Sequence, residues 1–138
     1  MGTWSTDSFG NDDACDWSDD LKDCPNLSYI DATLDRILAR GGERLGSKEA
    51  CRAIAAIETL ARLQGRWGLR NSYTEDVDRW VESVNLKPDR TLTLKAHRVL
   101  DRILSDPSCL LYEWRDAGKF IFEEWLAVMQ DLRARVTA

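Results

Sequence analysis

An all-α fold, a compact single-domain bundle of five to seven helices, is what this sequence predicts, and three observations predict it. Apolar residues recur three and four apart along most of the chain. No run of four or more residues alternates apolar and polar between turn signals, and there is no internal repeat. At 138 residues, 43% of them hydrophobic, the chain is long enough for one core and too short for two ordinary domains. Only three prolines and no long glycine- or serine-rich tract interrupt it, so the whole length is expected to be ordered.

From Asn11 to Cys24, Ala14, Trp17 and Leu21 share one helical face, while Asp12, Asp16, Asp19, Asp20 and Asp23 crowd the other. Gly10 and Asn11 supply a start signal, the early aspartates suit the positive end of the helix dipole, and Pro25 closes the helix. A second helix is predicted from Ser28 to Arg40, with Ile30, Leu34, Ile37 and Leu38 inward and Gly41–Gly42 as the stop. Ser47 is expected to cap a third, in which Ala50, Cys51, Ile54, Ile57 and Ala61 form a stripe ending near Gly65. Thr74, Glu75 and Asp76 open a fourth, whose Val77, Trp80, Val81 and Val84 point inward until Asn85 and Pro88 interrupt it.

Leu92, Ala96, Val99, Leu100, Ile103 and Leu104 form the buried face of a fifth helix. Asp106–Pro107 reads as the N-cap and first residue of a sixth. That helix carries Leu110, Leu111, Trp114, Ala117, Ile121, Trp125, Val128 and Leu132 toward the core. Gly118 lies inside this run, where it costs about 1 kcal/mol relative to alanine if the helix is continuous. Either another backbone packs closely against it or the helix bends there.

Composition narrows the classes of function. No segment approaches the roughly 20 consecutive apolar residues of a membrane helix, and the first residues carry acids where a secretory signal carries positive charge. A soluble cytoplasmic protein without membrane contact is expected. Met1, Gly2 and Thr6 satisfy the myristoylation pattern, which is too permissive to carry weight. Cys15, Cys24, Cys51 and Cys109 contain no Cys-x-x-Cys pair, which favours free thiols over zinc; a Cys15–Cys24 bridge is the alternative if the helix between them breaks. Nine aspartates against Lys22 put the residues through Asp35 at −8, and the overall −5 leaves +3 for the remainder. So acidic a front end repels nucleic acid and attracts basic partners.

Met1-Gly2-Thr3-Trp4, then Phe9, Asn11-Asp12, Ala14 and Asp16-Trp17, resemble the opening signature of a bacterial family catalogued as a domain of unknown function, number 4259. The family's typical opening has Gly where this chain has Ser5. The similarity continues more weakly from Ala50 to Gly65, around Trp80, and from Trp114 to Leu132. The resemblance implies a small cytoplasmic bacterial protein and brings no catalytic residues with it.

Four features are candidates for a site. The aspartates of the first helix stand at four-residue spacings that cost roughly 0.2–0.5 kcal/mol per like-charged pair, which suits either a solvated face or a docking surface for a basic protein. A calcium loop does not fit, because Ala14 and Leu21 fall at ligand places and no glutamate closes either register. Trp4 and Phe9 are expected to plug the core; the alternative is an aromatic pocket formed by Trp4, Phe9 and Trp17, and an interior ligand site would add Glu58. Glu58 falls inside the apolar stripe of the third helix, so it must be paired or protonated. Trp67, in the loop Arg66-Trp67-Gly68-Leu69-Arg70, is either buried or an interface anchor.

The one histidine, His97, sits at the edge of the fifth helix's apolar face and reads as a packing residue. No phosphate loop, nucleophile elbow or Ser/His/Asp pattern is present, so no catalytic residue, metal or cofactor is assigned. The expected function is a non-enzymatic bacterial cytosolic binding protein that neutralises or regulates a basic protein partner such as a toxin, as immunity proteins and antitoxins do. Asp12, Asp16, Asp19, Asp20, Asp23 and Trp67 are its expected contacts. The alternative is a small-molecule binder or modest enzyme built around Trp4, Phe9, Trp17 and Glu58.

Overall fold

The computed structural model describes residues 5–137. Among them are seven helices: α1 (Asp12–Leu21), α2 (Ser28–Ala39), α3 (Ser47–Leu63), α4 (Glu75–Val84), α5 (Arg90–Ile103), α6 (Cys109–Asp116) and α7 (Lys119–Arg135). No described residue belongs to a β-strand, and the architecture is the expected all-α bundle. No helix is long and apolar enough to cross a membrane among the described residues.

The bundle is organised around α3, which packs against each of the other six helices. Every residue from Ala53 to Leu63 is buried. The stripe expected from the sequence is therefore one side of a helix covered on all sides. Ala53, Ala55 and Ala56 explain the difference, because their small side chains let neighbouring helices close over the face opposite the larger residues. A helix so enclosed must also enclose its polar residues, and Glu58, Thr59 and Arg62 are buried with it.

Local chemistry sets the helix ends. Asn11 caps α1 by accepting from the Ala14 amide at 2.7 Å, and Asp89 caps α5 by accepting from the Leu92 amide at 2.8 Å. Asn85, at φ +49°, ends α4 in the left-handed conformation that asparagine tolerates. Two expected caps move. Ser47 is the first helical residue of α3 rather than its cap, and its hydroxyl instead bonds Glu113 of α6. At the start of α6, Ser108 takes the N-cap place expected for Asp106. The residues just before it are held by a short bridge, in which the Leu45 amide donates to Pro107 and the Cys109 amide donates to Leu45.

Gly118, at φ +122°, breaks the predicted last helix into α6 and α7, so the bend is the alternative that holds. Residues with a Cβ rarely adopt that angle. The break re-aims everything after it. Ala117 and Ile121 are exposed rather than buried, and Trp114 and Val128 are half-buried. Trp125 folds back into the core with Trp114 stacked on it, ring centroids 5.9 Å apart.

The N-terminal aromatic segment packs on this core through Phe9, which is fully buried. Ser5 and Gly10 are linked by a backbone hydrogen bond, closing residues 5–10 into a turn. A Cβ on Gly10 would meet the Ser5 hydroxyl and the Asp7 carboxylate, which would have to swing aside. Trp4 lies outside the described residues. All four cysteines are free, including Cys15 and Cys24. Cys51 is deeply buried, and its thiol is pushed up to about 12, first by burial and then by Asp13 and Glu113.

Candidate functional site

Helical spacing puts Glu58 and Arg62 one turn apart on α3, and burial forces them to find partners. Glu58, only 3% exposed, receives the guanidinium of Arg135 from the end of α7 in a two-pronged pair, 2.6 Å from Nη1 to Oε2 and 2.8 Å from Nη2 to Oε1. The Ser8 hydroxyl donates to Glu58 Oε1 at 3.0 Å, so the N-terminal segment is tied to the same carboxylate. Arg62 Nε stands 3.6 Å from Glu58 Oε2.

Arg62 is itself only 2% exposed. Its Nη2 donates to the Leu69 carbonyl at 2.6 Å, and its Nη1 lies 3.3 Å from Asp78 Oδ1 of α4. The guanidinium carbon is 5.8 Å from the ring centre of Phe9 and 5.5 Å from that of Trp67. Asp78 also accepts from the Thr74 hydroxyl at 2.7 Å and from Arg70 Nε at 3.2 Å. Despite these neighbours, Arg62 Nε, Arg62 Nη1 and Asp78 Oδ1 make no aligned hydrogen bond among the described residues.

Glu58 favours the charged form of both arginines, but their burial differs in effect. Burial lowers the Arg62 guanidinium's proton affinity, against the pull of Glu58 and Asp78. The hydrogen bonds that Arg135 donates to Glu58 raise its own proton affinity, and it also donates to Asp131. Both stay charged at neutral pH. Glu58 accepts from Ser8 and twice from Arg135. His97 takes no part, since its Nε2 donates to the Val136 carbonyl. The cluster is built to fasten α3, α4, α7, the N-terminal segment and the loop carrying Trp67 together.

Above the cluster is a cleft of about 400 Å³ lined by Phe9, Glu58, Arg62, Leu69, Val128 and Arg135, among others. Gly68 closes one edge, its backbone so near the Arg135 guanidinium that a Cβ would sit 2.9 Å from Nη1.

On another face, Asp12, Asp16, Asp19, Asp20 and Asp23 of the α1 region are all exposed. Asp19 approaches Lys22 at 4.0 Å, and the neighbouring Asp13 approaches Arg52 at 3.7 Å. Nothing among the described residues pairs with the side chains of Asp12, Asp16, Asp20 or Asp23. Asp16 and Asp20 edge a groove of about 320 Å³ between α1, α2 and α3, with Trp17, Tyr29, Arg36 and Arg52 along it. Trp17 and Tyr29 stack there at 5.2 Å, and Trp17 Nε1 donates to the Thr33 hydroxyl at 2.9 Å.

Residues 2–128 match the model of a family described as a domain of unknown function, DUF4259. The chain belongs to this family. No curated protein and no solved structure matches it. The DUF4259 match takes in α1 through most of α7, including Glu58, Arg62 and Asp78, and stops before Arg135.

Within this DUF4259 chain, the residues singled out in the sequence fall into two places. Phe9 and Glu58 line one cleft, whereas Trp17 faces the separate groove beside α1. Trp17 is drawn away because its indole N–H and ring are both engaged by α2. Trp67 is half-buried, with Arg70 over its ring at 4.3 Å, and joins the Arg62 cluster rather than the aspartates. Sequence reasoning missed Ser8, Arg62, Asp78 and Arg135. The one-turn spacing of Glu58 and Arg62 was an available signal; nothing local marks Arg135, 77 residues further on.

Proposed function

We propose that this chain is a non-enzymatic binding protein of the bacterial cytosol that neutralises or regulates a basic protein partner, docking it on the acidic face of α1. The observation that carries this reading is the uncommitted state of Asp12, Asp16, Asp20 and Asp23, exposed and without partners among the described residues. Asp31 and Asp35, by contrast, share Lys95 at 2.6 and 2.7 Å, so this protein does neutralise exposed acids where its own fold supplies a cation. A cationic partner relieves the repulsion between acids one turn apart and is steered to the face by their field. Asp16 and Asp20 stand at the edge of the groove that holds the Trp17–Tyr29 stack, whose lining also includes Glu49, Arg36 and Arg52. Neutralisation of a toxin is the form of regulation such a surface suits, by analogy with small acidic inhibitors.

The test is affinity capture from the native host's lysate at low and high salt, with the wild-type chain and an Asp16→Lys, Asp20→Lys variant side by side. A basic protein retained at low salt, released at high salt and lost in the variant is the expected outcome. A partner held equally well by wild type and variant overturns this assignment.

A further inference from the structure

We infer that the groove between α1, α2 and α3 reads a partner segment of mixed charge, seating a basic side chain against Asp16 and Asp20 and an acidic one against Arg36. This specificity rests on the docking role proposed for the α1 face. The partner is basic as a whole, and the groove adds that it presents an acid close to the basic residue at the contact.

Both signs of charge line the groove, and they come from different helices. Asp16 and Asp20 belong to α1, Arg36 to α2 and Arg52 to α3. Arg36 is exposed and, like both aspartates, has no partner among the described residues. Arg52 stands 3.7 Å from Asp13, beyond hydrogen-bonding reach. Glu49, the remaining charge, is committed to Arg40, whose Nε donates to it at 3.1 Å.

Among the described residues no ion pair crosses the groove. Elsewhere on the surface opposite charges of neighbouring helices do meet, as Lys95 meets Asp31 and Asp35. Here Tyr29 lies among them. Its ring is stacked on Trp17 with the planes 16° apart, and Trp17 is in turn fixed by its hydrogen bond to Thr33. Burial, then Asp20 and Cys24, hold the Tyr29 phenol above its ordinary value, while Arg52 and Arg36 oppose them. The hydroxyl is therefore in the field of both sets of charges, and it has no hydrogen-bond partner among the described residues.

A partner that brings only cations satisfies the aspartates but is repelled by Arg36 and Arg52. One that brings only acids meets the reverse conflict. A segment with one of each satisfies both sets. The planar fork of Arg36 suits a carboxylate, and the free Tyr29 hydroxyl is able to donate to the same group.

The test is an NMR titration of backbone amides with capped peptides that hold one arginine and one glutamate, in both orders and at several short separations, on an alanine and glycine background. Matched peptides with glutamine in place of glutamate carry only the cation. At least one mixed peptide is expected to give saturable shifts at Asp16, Asp20, Thr33 and Arg36, and to bind at least about fivefold more tightly than its glutamine counterpart. In an Arg36→Glu variant that preference should reverse. Arg36 has no partner in the fold to lose, so the variant should keep a folded spectrum. No saturable shift with any mixed peptide at millimolar concentration overturns the inference, as does a glutamine peptide that binds wild type as tightly as the mixed ones. A preference left unchanged by Arg36→Glu overturns it too. The docking role itself fails by a different result, a partner captured equally by wild type and by the Asp16→Lys, Asp20→Lys variant.

Discussion

Glu58 and Asp16 are both helical acids with a second charge one turn away, yet their surroundings differ in every respect. Glu58 is enclosed, faces Arg62, and collects Ser8 and both prongs of Arg135. Asp16 is exposed, stands between Asp12 and Asp20, and collects no partner among the described residues. The comparison separates two uses of charge within one small fold. A buried carboxylate must be matched inside the molecule, because desolvation without a partner outweighs what packing returns. An exposed one is solvated at little cost and stays available to another molecule.

The largest effect expected from breaking this contrast is at Glu58. Replacing it with alanine leaves Arg62 and Arg135 without their shared anion, and chemical denaturation should register a loss of about 3–5 kcal/mol. Removing both sides at once, Glu58→Met with Arg135→Met, should cost less than the sum of the single changes by about 1–3 kcal/mol in a double-mutant cycle. Strict additivity would mean that the pair is not the fastener its geometry describes.

Cys51 sharpens the contrast as a third case, a buried acid with no cation to pair with. Its thiol stays neutral because burial raises it to about 12. The folded chain therefore keeps a proton that the unfolded chain releases near the ordinary thiol value. The stability this contributes is complete below about pH 9 and declines as pH rises toward 12. Denaturation at about pH 11 should show wild type losing about 3 kcal/mol more than a Cys51→Ala variant, each measured against its own stability at neutral pH. The smallest effect belongs to the exposed face. Asp16→Lys with Asp20→Lys should leave stability unchanged or raise it by a few tenths of a kcal/mol, since like charges at helical spacing are removed.

Much of the fold is legible in residue spacing, since each buried face of α1, α2, α4 and α5 repeats at the helical period. The departures have physical causes. The surround of α3 depends on alanines, which pattern analysis scores as neutral filler although they admit a neighbour on every side. Gly118 leaves two readings open in the sequence, and its positive φ decides between them. At the site, Glu58 stands out because an acid inside an apolar stripe is anomalous. Arg62, Asp78 and Arg135 do not stand out, since charged residues near a stripe usually lie at the surface. Their burial is a tertiary property, created by α4, the Trp67 loop and α7 closing over them.

The reach of the Glu58 pair along the chain bears on the order in which the molecule assembles. During synthesis, Arg62 emerges within one helical turn of Glu58, but Arg135 emerges 77 residues after Glu58. Until then the central helix carries a carboxylate missing its two-pronged partner, with only Arg62 and Ser8 of its present contacts at hand. Docking of α7 is the step that supplies that partner, and it also brings Trp125 and Leu132 into the core. Contacts of such long sequence separation carry the larger loop-closure cost. The cluster thus makes completion of the helical core depend on arrival of the final helix.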